Sequence, residues 1–134
     1  MLDPYWRMIY KKLWGNETVK KPSTPQQLAE DILHRSNCAV MVGAVIADRH
    51  GIFSWGWNHC GDGHGQHAEE YAINRANHKR LRGASIYVAG ERKRSKRIVG
   101  TFPCVNCGER IVSVGIKRIY WRTSDGTWAM IYSD

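Results

Sequence analysis

His67-Ala68-Glu69 and Cys104-Val105-Asn106-Cys107 place one imidazole, two thiols and one carboxylate in two short segments. A structural zinc site closes all four tetrahedral positions with protein ligands, whereas a catalytic one uses three and leaves the fourth to water. His67, Cys104 and Cys107 supply three. Glu69, two residues past the histidine, is left as a carboxylate beside the ion, able to take a proton from water and hand it on. The chemistry implied is zinc-assisted hydrolysis. The bland alternative is a closed structural site or a metal-free pair of core cysteines, and the spacing of the glutamate argues against it.

Such ligands need elements that bring them together. Thr24-Pro25-Gln26-Gln27 reads as a capped helix start with Pro at the first helical position, and Leu28, Ile32 and Leu33 give a helix over about 25–36 its apolar face. The apolar run Ala39–Ala47, the turn Asp48-Arg49-His50-Gly51 and the stretch Ile52–Asn58 predict a buried hairpin. A Gly-rich loop, Asn58–Gln66, delivers the chain to His67. Helical spacing resumes with Ala68, Tyr71, Ala72 and Ala76 and continues to about Leu81. Ala84–Ala89 then reads as a strand, Cys104–Val114 as a helix, and Ile116–Arg122 and Thr127–Tyr132 as strands. The link Thr123-Ser124-Asp125-Gly126 is too short for a parallel crossover, so the last two strands pair as an antiparallel hairpin. The expected fold is α/β, a three-layer α/β/α sandwich around a mixed sheet of about five strands.

Both metal-binding segments fall at helix starts, where partial positive charge favours a thiolate. The i, i+3 spacing of Cys104 and Cys107 puts their sulfurs on one side of a turn, within reach of one ion.

A chain of 134 residues holds one sizeable core, not two. The expected division is an N-terminal helix or arm over 1–24 and a catalytic domain over 25–134. No apolar run is long enough to span a bilayer, and Met1–Lys12 lacks the apolar centre of a signal peptide, so a cytoplasmic protein with no membrane partner is expected. Reduced cysteines follow from that compartment. Lys and Arg outnumber Asp and Glu by 20 to 12, a formal charge of +8, which favours anionic partners.

The H-x-E and P-C-x-x-C pair is the signature of zinc nucleobase deaminases, and the chain resembles the cytidine and deoxycytidylate deaminase superfamily over most of its length. Arg35-Ser36-Asn37-Cys38 followed by Val42–Ile46 resembles the opening of deoxycytidylate deaminases. Gly56-Trp57-Asn58 resembles both those enzymes and the tRNA adenosine deaminases. The resemblance implies a cytidine deaminase-like fold, Zn2+ on His67, Cys104 and Cys107, and Glu69 as the proton shuttle. It also implies that Asn58 bonds the substrate near its sugar or base, that the backbone of Ala68 meets the base edge, and that the chain forms a homo-oligomer. Trp57 and His64 stand where the pocket mouth is expected.

The departures from the family keep the substrate open. A terminal hairpin without an inserted helix resembles the free-cytidine branch, yet that branch carries cysteine where His67 stands. The chain also ends without the C-terminal extension of many deoxycytidylate deaminases. Gly90–Thr101 is longer than the usual link and carries Arg92, Lys93, Arg94, Lys96 and Arg97, either a phosphate or nucleic-acid contact or a solvated loop. His59, Cys60 and His64, with Cys38 upstream, offer ligands for a second zinc, although Cys38 also suits a core position. Trp55 and Trp57 could serve as stacking platforms or pack against the first helix. The expected substrate is cytosine in a nucleotide or nucleoside, with the charge favouring a phosphorylated one. The alternatives are cytosine in single-stranded DNA or RNA, adenine in the manner of the tRNA-editing enzymes, and a zinc-stabilised binding module without chemistry.

Overall fold

A computed structural model describes residues 24–61 and 65–133 of the chain. The arm expected over 1–24 lies outside these residues except for Thr24, and His64 lies outside them as well. The first helix, α1, runs Pro25–Ile32 and tightens into a 3-10 turn over Leu33–Arg35. Thr24 caps it by accepting from the backbone N–H of Gln27 at 3.1 Å, and Leu28, Ala29 and Ile32 form its buried face.

The expected hairpin is present as β1, Val40–Asp48, paired antiparallel with β2, Gly51–Trp57. The helix expected over 68–81 is divided. α2 spans Ala68–Arg75, Ala76 turns extended, and Asn77 caps a short α3, His78–Leu81, through the N–H of Lys79. Asn77 is an efficient cap, and its side chain offers the backbone a non-helical partner where the longer helix would have continued.

β3, Ser85–Arg92, extends past the expected end at Ala89 because its last residues pair with β4, Ile98–Val99. α4, Val105–Ser113, then leads to β5, Arg118–Arg122, and β6, Trp128–Tyr132. The sheet order is β2-β1-β3-β5-β6, with β4 beside β3. β3 and β5 run parallel, and β5 and β6 form the antiparallel hairpin that the short link requires. This is the mixed sheet between helical layers expected of a cytidine deaminase-like fold.

Two cores hold the layers. One packs α2 and α4 on one face through Ala68, Ala72, Ile73, Ile111, Ile86 and Ile119; the other packs α1 on the opposite face through Leu28, Leu33, Val45 and Trp55. Arg122 ties the second layer to the sheet, donating to Glu30 at 3.1 Å and to the Gly90 carbonyl at 3.0 Å. The helix that carries His67 and Glu69 sits unusually close to β2, because a Cβ on Gly56 would lie 2.7 Å from the Ala72 nitrogen and 2.9 Å from the Ala68 oxygen.

Gly56→Ala should therefore destabilise the protein by about 1–3 kcal/mol through overpacking against helix backbone. Gly108→Ala, which meets open space inside α4, should be neutral or stabilising by up to about 1 kcal/mol. Denaturant midpoints check both; a neutral Gly56→Ala would contradict the close packing of α2.

Candidate active site

His67 is the N-cap of α2 and Cys104 the N-cap of α4, so both ligand segments stand at helix starts, at the end of the sheet where β3 finishes. The Nδ1 nitrogen of His67 lies 3.2 Å from the Cys107 sulfur and 3.7 Å from the Cys104 sulfur. All three donor atoms fall within 4.8 Å of one another. A tetrahedral ion with Zn–S of about 2.3 Å and Zn–N of about 2.0 Å spreads its donors roughly 3.5–3.8 Å apart, so the cluster is of zinc dimensions.

The electrostatics agree with that fit. Burial pushes the Cys107 thiol far above its usual range, and the nearby Glu69 carboxylate and Cys104 add to the effect. A thiolate there needs a cation, which a metal supplies. Glu69 is 6% exposed in the first turn of α2. Burial holds its carboxyl above the ordinary range, opposed by its own backbone N–H and by His67.

A cavity of about 400 Å3 opens onto this cluster, and His67, Glu69 and Cys104 all line it. Asn58 and Ala68, both expected at the substrate, line it too. The Asn58 amide is anchored to β1, donating to the Val40 carbonyl and accepting from the Val42 N–H, each at 2.8 Å. Val42, Val88 and Phe102 provide apolar wall that sequence reasoning missed. Phe102 had a usable signal in its place just before Pro103-Cys104. It is 56% exposed and sits edge-on to Trp121 at 4.8 Å.

Other candidates lie elsewhere. Trp57 is not among the cavity-lining residues; it packs edge-on against Tyr71 at 5.2 Å, with Arg35 and Arg75 over its ring. Trp55 is 2% exposed in the α1 core, so it offers no stacking platform. Arg92, Lys93, Arg94, Lys96 and Arg97 are all exposed around the β3–β4 turn, and none lines the cavity. The returning residues Val99, Gly100 and Thr101 form its wall instead.

The second-zinc reading and the expectation of four reduced thiols are both corrected. Cys38 and Cys60 form a disulfide, which removes both thiolates from metal binding. The Asn37 side chain holds them in register, donating to the Cys60 carbonyl at 2.7 Å and accepting from its N–H at 2.8 Å. Among the described residues, the one cluster of metal-binding dimensions is His67, Cys104 and Cys107.

Residues 22–123 match the family model of the cytidine and deoxycytidylate deaminase zinc-binding region. The chain belongs to this deaminase family. The deaminase is accordingly a zinc-dependent hydrolase, and the His-Cys-Cys cluster is compatible with its zinc. Solved structures agree on the fold. A dCMP deaminase from the cyanophage S-TIM5, in apo form, is 23% identical with a TM-score of 0.57, covering 93% of this chain and 89% of that one. A cytidine deaminase from Burkholderia pseudomallei is 20% identical with a TM-score of 0.64, covering 81% and 90%. RibD from Acinetobacter baumannii is 21% identical with a TM-score of 0.56, covering 74% of this chain and 27% of its own. No curated protein sequence matches the deaminase significantly.

The deaminase should bind equimolar zinc, as measured by elemental analysis after gel filtration. His67→Ala or Cys107→Ser should lose it, whereas a Cys38→Ser/Cys60→Ser pair should retain it. Two zinc ions per chain would restore the second site.

Proposed function

We propose that the deaminase converts cytosine to uracil in a nucleotide or nucleoside, with His67, Cys104 and Cys107 holding zinc and Glu69 moving the protons. The observation that carries this reading is a half-enclosed cavity with an apolar wall that ends on the metal cluster and on the buried Glu69 carboxyl. Its size suits a small ligand, since ligand pockets run from about 300 to 1,000 Å3. The S-TIM5 dCMP deaminase, which has also been solved in complex with dCMP and dUMP, supports the same substrate class.

When bound, zinc supplies the Lewis acidity and water activation that these side chains lack. Glu69 accepts the proton from the attacking water and delivers it to the ring nitrogen beside the amine-bearing carbon. It then carries a proton to the departing amino group. Water is consumed, ammonia leaves and a carbonyl replaces the amine. Val42, Val88 and Phe102 keep the base out of bulk water, and the backbone at Ala68 meets its polar edge. Asn58, fixed to Val40 and Val42, keeps one amide hydrogen and one oxygen lone pair for the substrate.

No Lys or Arg is among the cavity-lining residues. The phosphate preference inferred from net charge thus has no support within the described wall, and nucleosides belong in the first substrate panel beside their monophosphates.

Zinc-loaded protein should release uracil products from one or more of cytidine, deoxycytidine, CMP and dCMP, scored by chromatography. Glu69→Gln should lower turnover by about 10^2- to 10^4-fold while its zinc content stays equimolar. An active Glu69→Gln variant would overturn the shuttle. Turnover of a cytosine oligonucleotide with none of the monomers would overturn the small-substrate reading.

A further inference from the structure

At the other end of the strands the sheet carries a second cavity, of about 700 Å3, which shares no lining residue with the first. It forms where the β1–β2 turn, α3 and the starts of β3 and β5 meet, on the face covered by α1. α1 packs on β1, β2 and β3, and none of its residues lines this cavity.

The chemistry of its lining is one-sided. Arg49, Lys79, Arg82 and Arg118 are cationic, and among the described residues no carboxylate is ion-paired with any of them. Asp48 is the one carboxylate in the lining, and it is committed to Arg80 at 2.8 Å; that hydrogen-bonded pairing holds its carboxyl below the ordinary range. Between the cations lie Tyr87 and Tyr120, neighbours on parallel strands, with rings stacked at 4.5 Å and 9°. Both rings are part-exposed and both line the cavity.

The positive surface does not stop there. A further cavity of about 420 Å3 adjoins this one through Arg82 and Gly83 and adds Lys117. Cations thus follow one another from the β1–β2 turn, across α3 and Arg82, to the start of β5. A mononucleotide has charge for one end of such a track, whereas a strand has a phosphate at every step. Basic grooves with aromatic platforms are how proteins hold single strands without reading sequence.

We infer that this cationic track, with the Tyr87–Tyr120 pair as its aromatic floor, binds single-stranded nucleic acid at a site remote from the metal cavity. Backbone phosphates lie along Lys79, Arg82, Lys117 and Arg118, and a base rests against the tyrosines. The inference does not depend on which cytosine compound the metal site accepts.

The test is fluorescence anisotropy of a labelled oligothymidine of about 12 nucleotides, titrated with zinc-loaded protein across a salt series. Affinity should fall linearly on a log–log plot, and neutralising one phosphate contact should make the slope shallower by about 0.7. Arg82→Gln and Lys117→Gln, both at exposed positions, should each do so with unchanged melting temperature, and together should weaken binding further. A variant with Arg92, Arg94 and Lys96 changed to Gln should bind as the parent does. The inference is overturned if no binding is seen, or if the track variants bind like the parent while the hairpin variant fails. Equal affinity for thymidine monophosphate would make the track a mononucleotide pocket. Equal affinity for inorganic polyphosphate would remove the tyrosines from recognition; either result contradicts the inference.

Discussion

The site depends on two helix N-termini being held side by side at one end of the sheet. β3 runs parallel to β5, so the chain must cross over between them, and α4 is that crossover. Its first turn therefore stands beyond the end of β3, and with it Cys104 and Cys107. α2 reaches the same end from β2, seated close by the missing side chain at Gly56. A ligand site beyond the carboxyl ends of parallel strands is the general outcome in open α/β sheets. Here it gathers three donors within 4.8 Å by two local rules: a helix-cap position for His67 and Cys104 and a helical i, i+3 step for Cys107.

The His67, Cys104 and Cys107 cluster and the carboxylate beside it were legible in sequence because residue type and short spacing carry them. The hairpins followed from loop lengths, most clearly from the four-residue link before β6. What the sequence hid was long-range or backbone-borne. The Cys38–Cys60 disulfide joins positions 22 residues apart, and its clamp is the Asn37 side chain, which by sequence reads as an ordinary polar residue. The break at Ala76 belongs to Asn77 competing for backbone donors against a helical pattern that runs straight through it. Trp57 was expected at the pocket mouth or packed against the first helix, and strand alternation turns it to the face opposite Asn58. Asn58 reaches the cavity and Trp57 packs with Tyr71 and Arg75.

Two groups of cations stand out among the described residues, neither within the described wall of the metal cavity. One is the β3–β4 turn, whose cations are exposed and line neither the metal cavity nor the one at the far end of the sheet. The other is the track at the far end of the sheet, where Arg49, Lys79, Arg82 and Arg118, with no carboxylate ion-paired to them among the described residues, stand around stacked tyrosines. A basic run in sequence and a basic surface in space are different things: Arg49, Lys79, Arg82 and Arg118 are scattered along the chain and are collected by the fold.

Hydrolysis at this site requires a zinc centre with three protein ligands and one open position. Zinc-edge X-ray absorption on the equimolar protein tests it most directly. Two sulfur ligands at about 2.3 Å and two nitrogen or oxygen ligands at about 2.0–2.1 Å are expected, with one of the latter exchanging for an added small anion. A shell of three or four sulfurs, or a four-ligand shell that no small molecule enters, would contradict it.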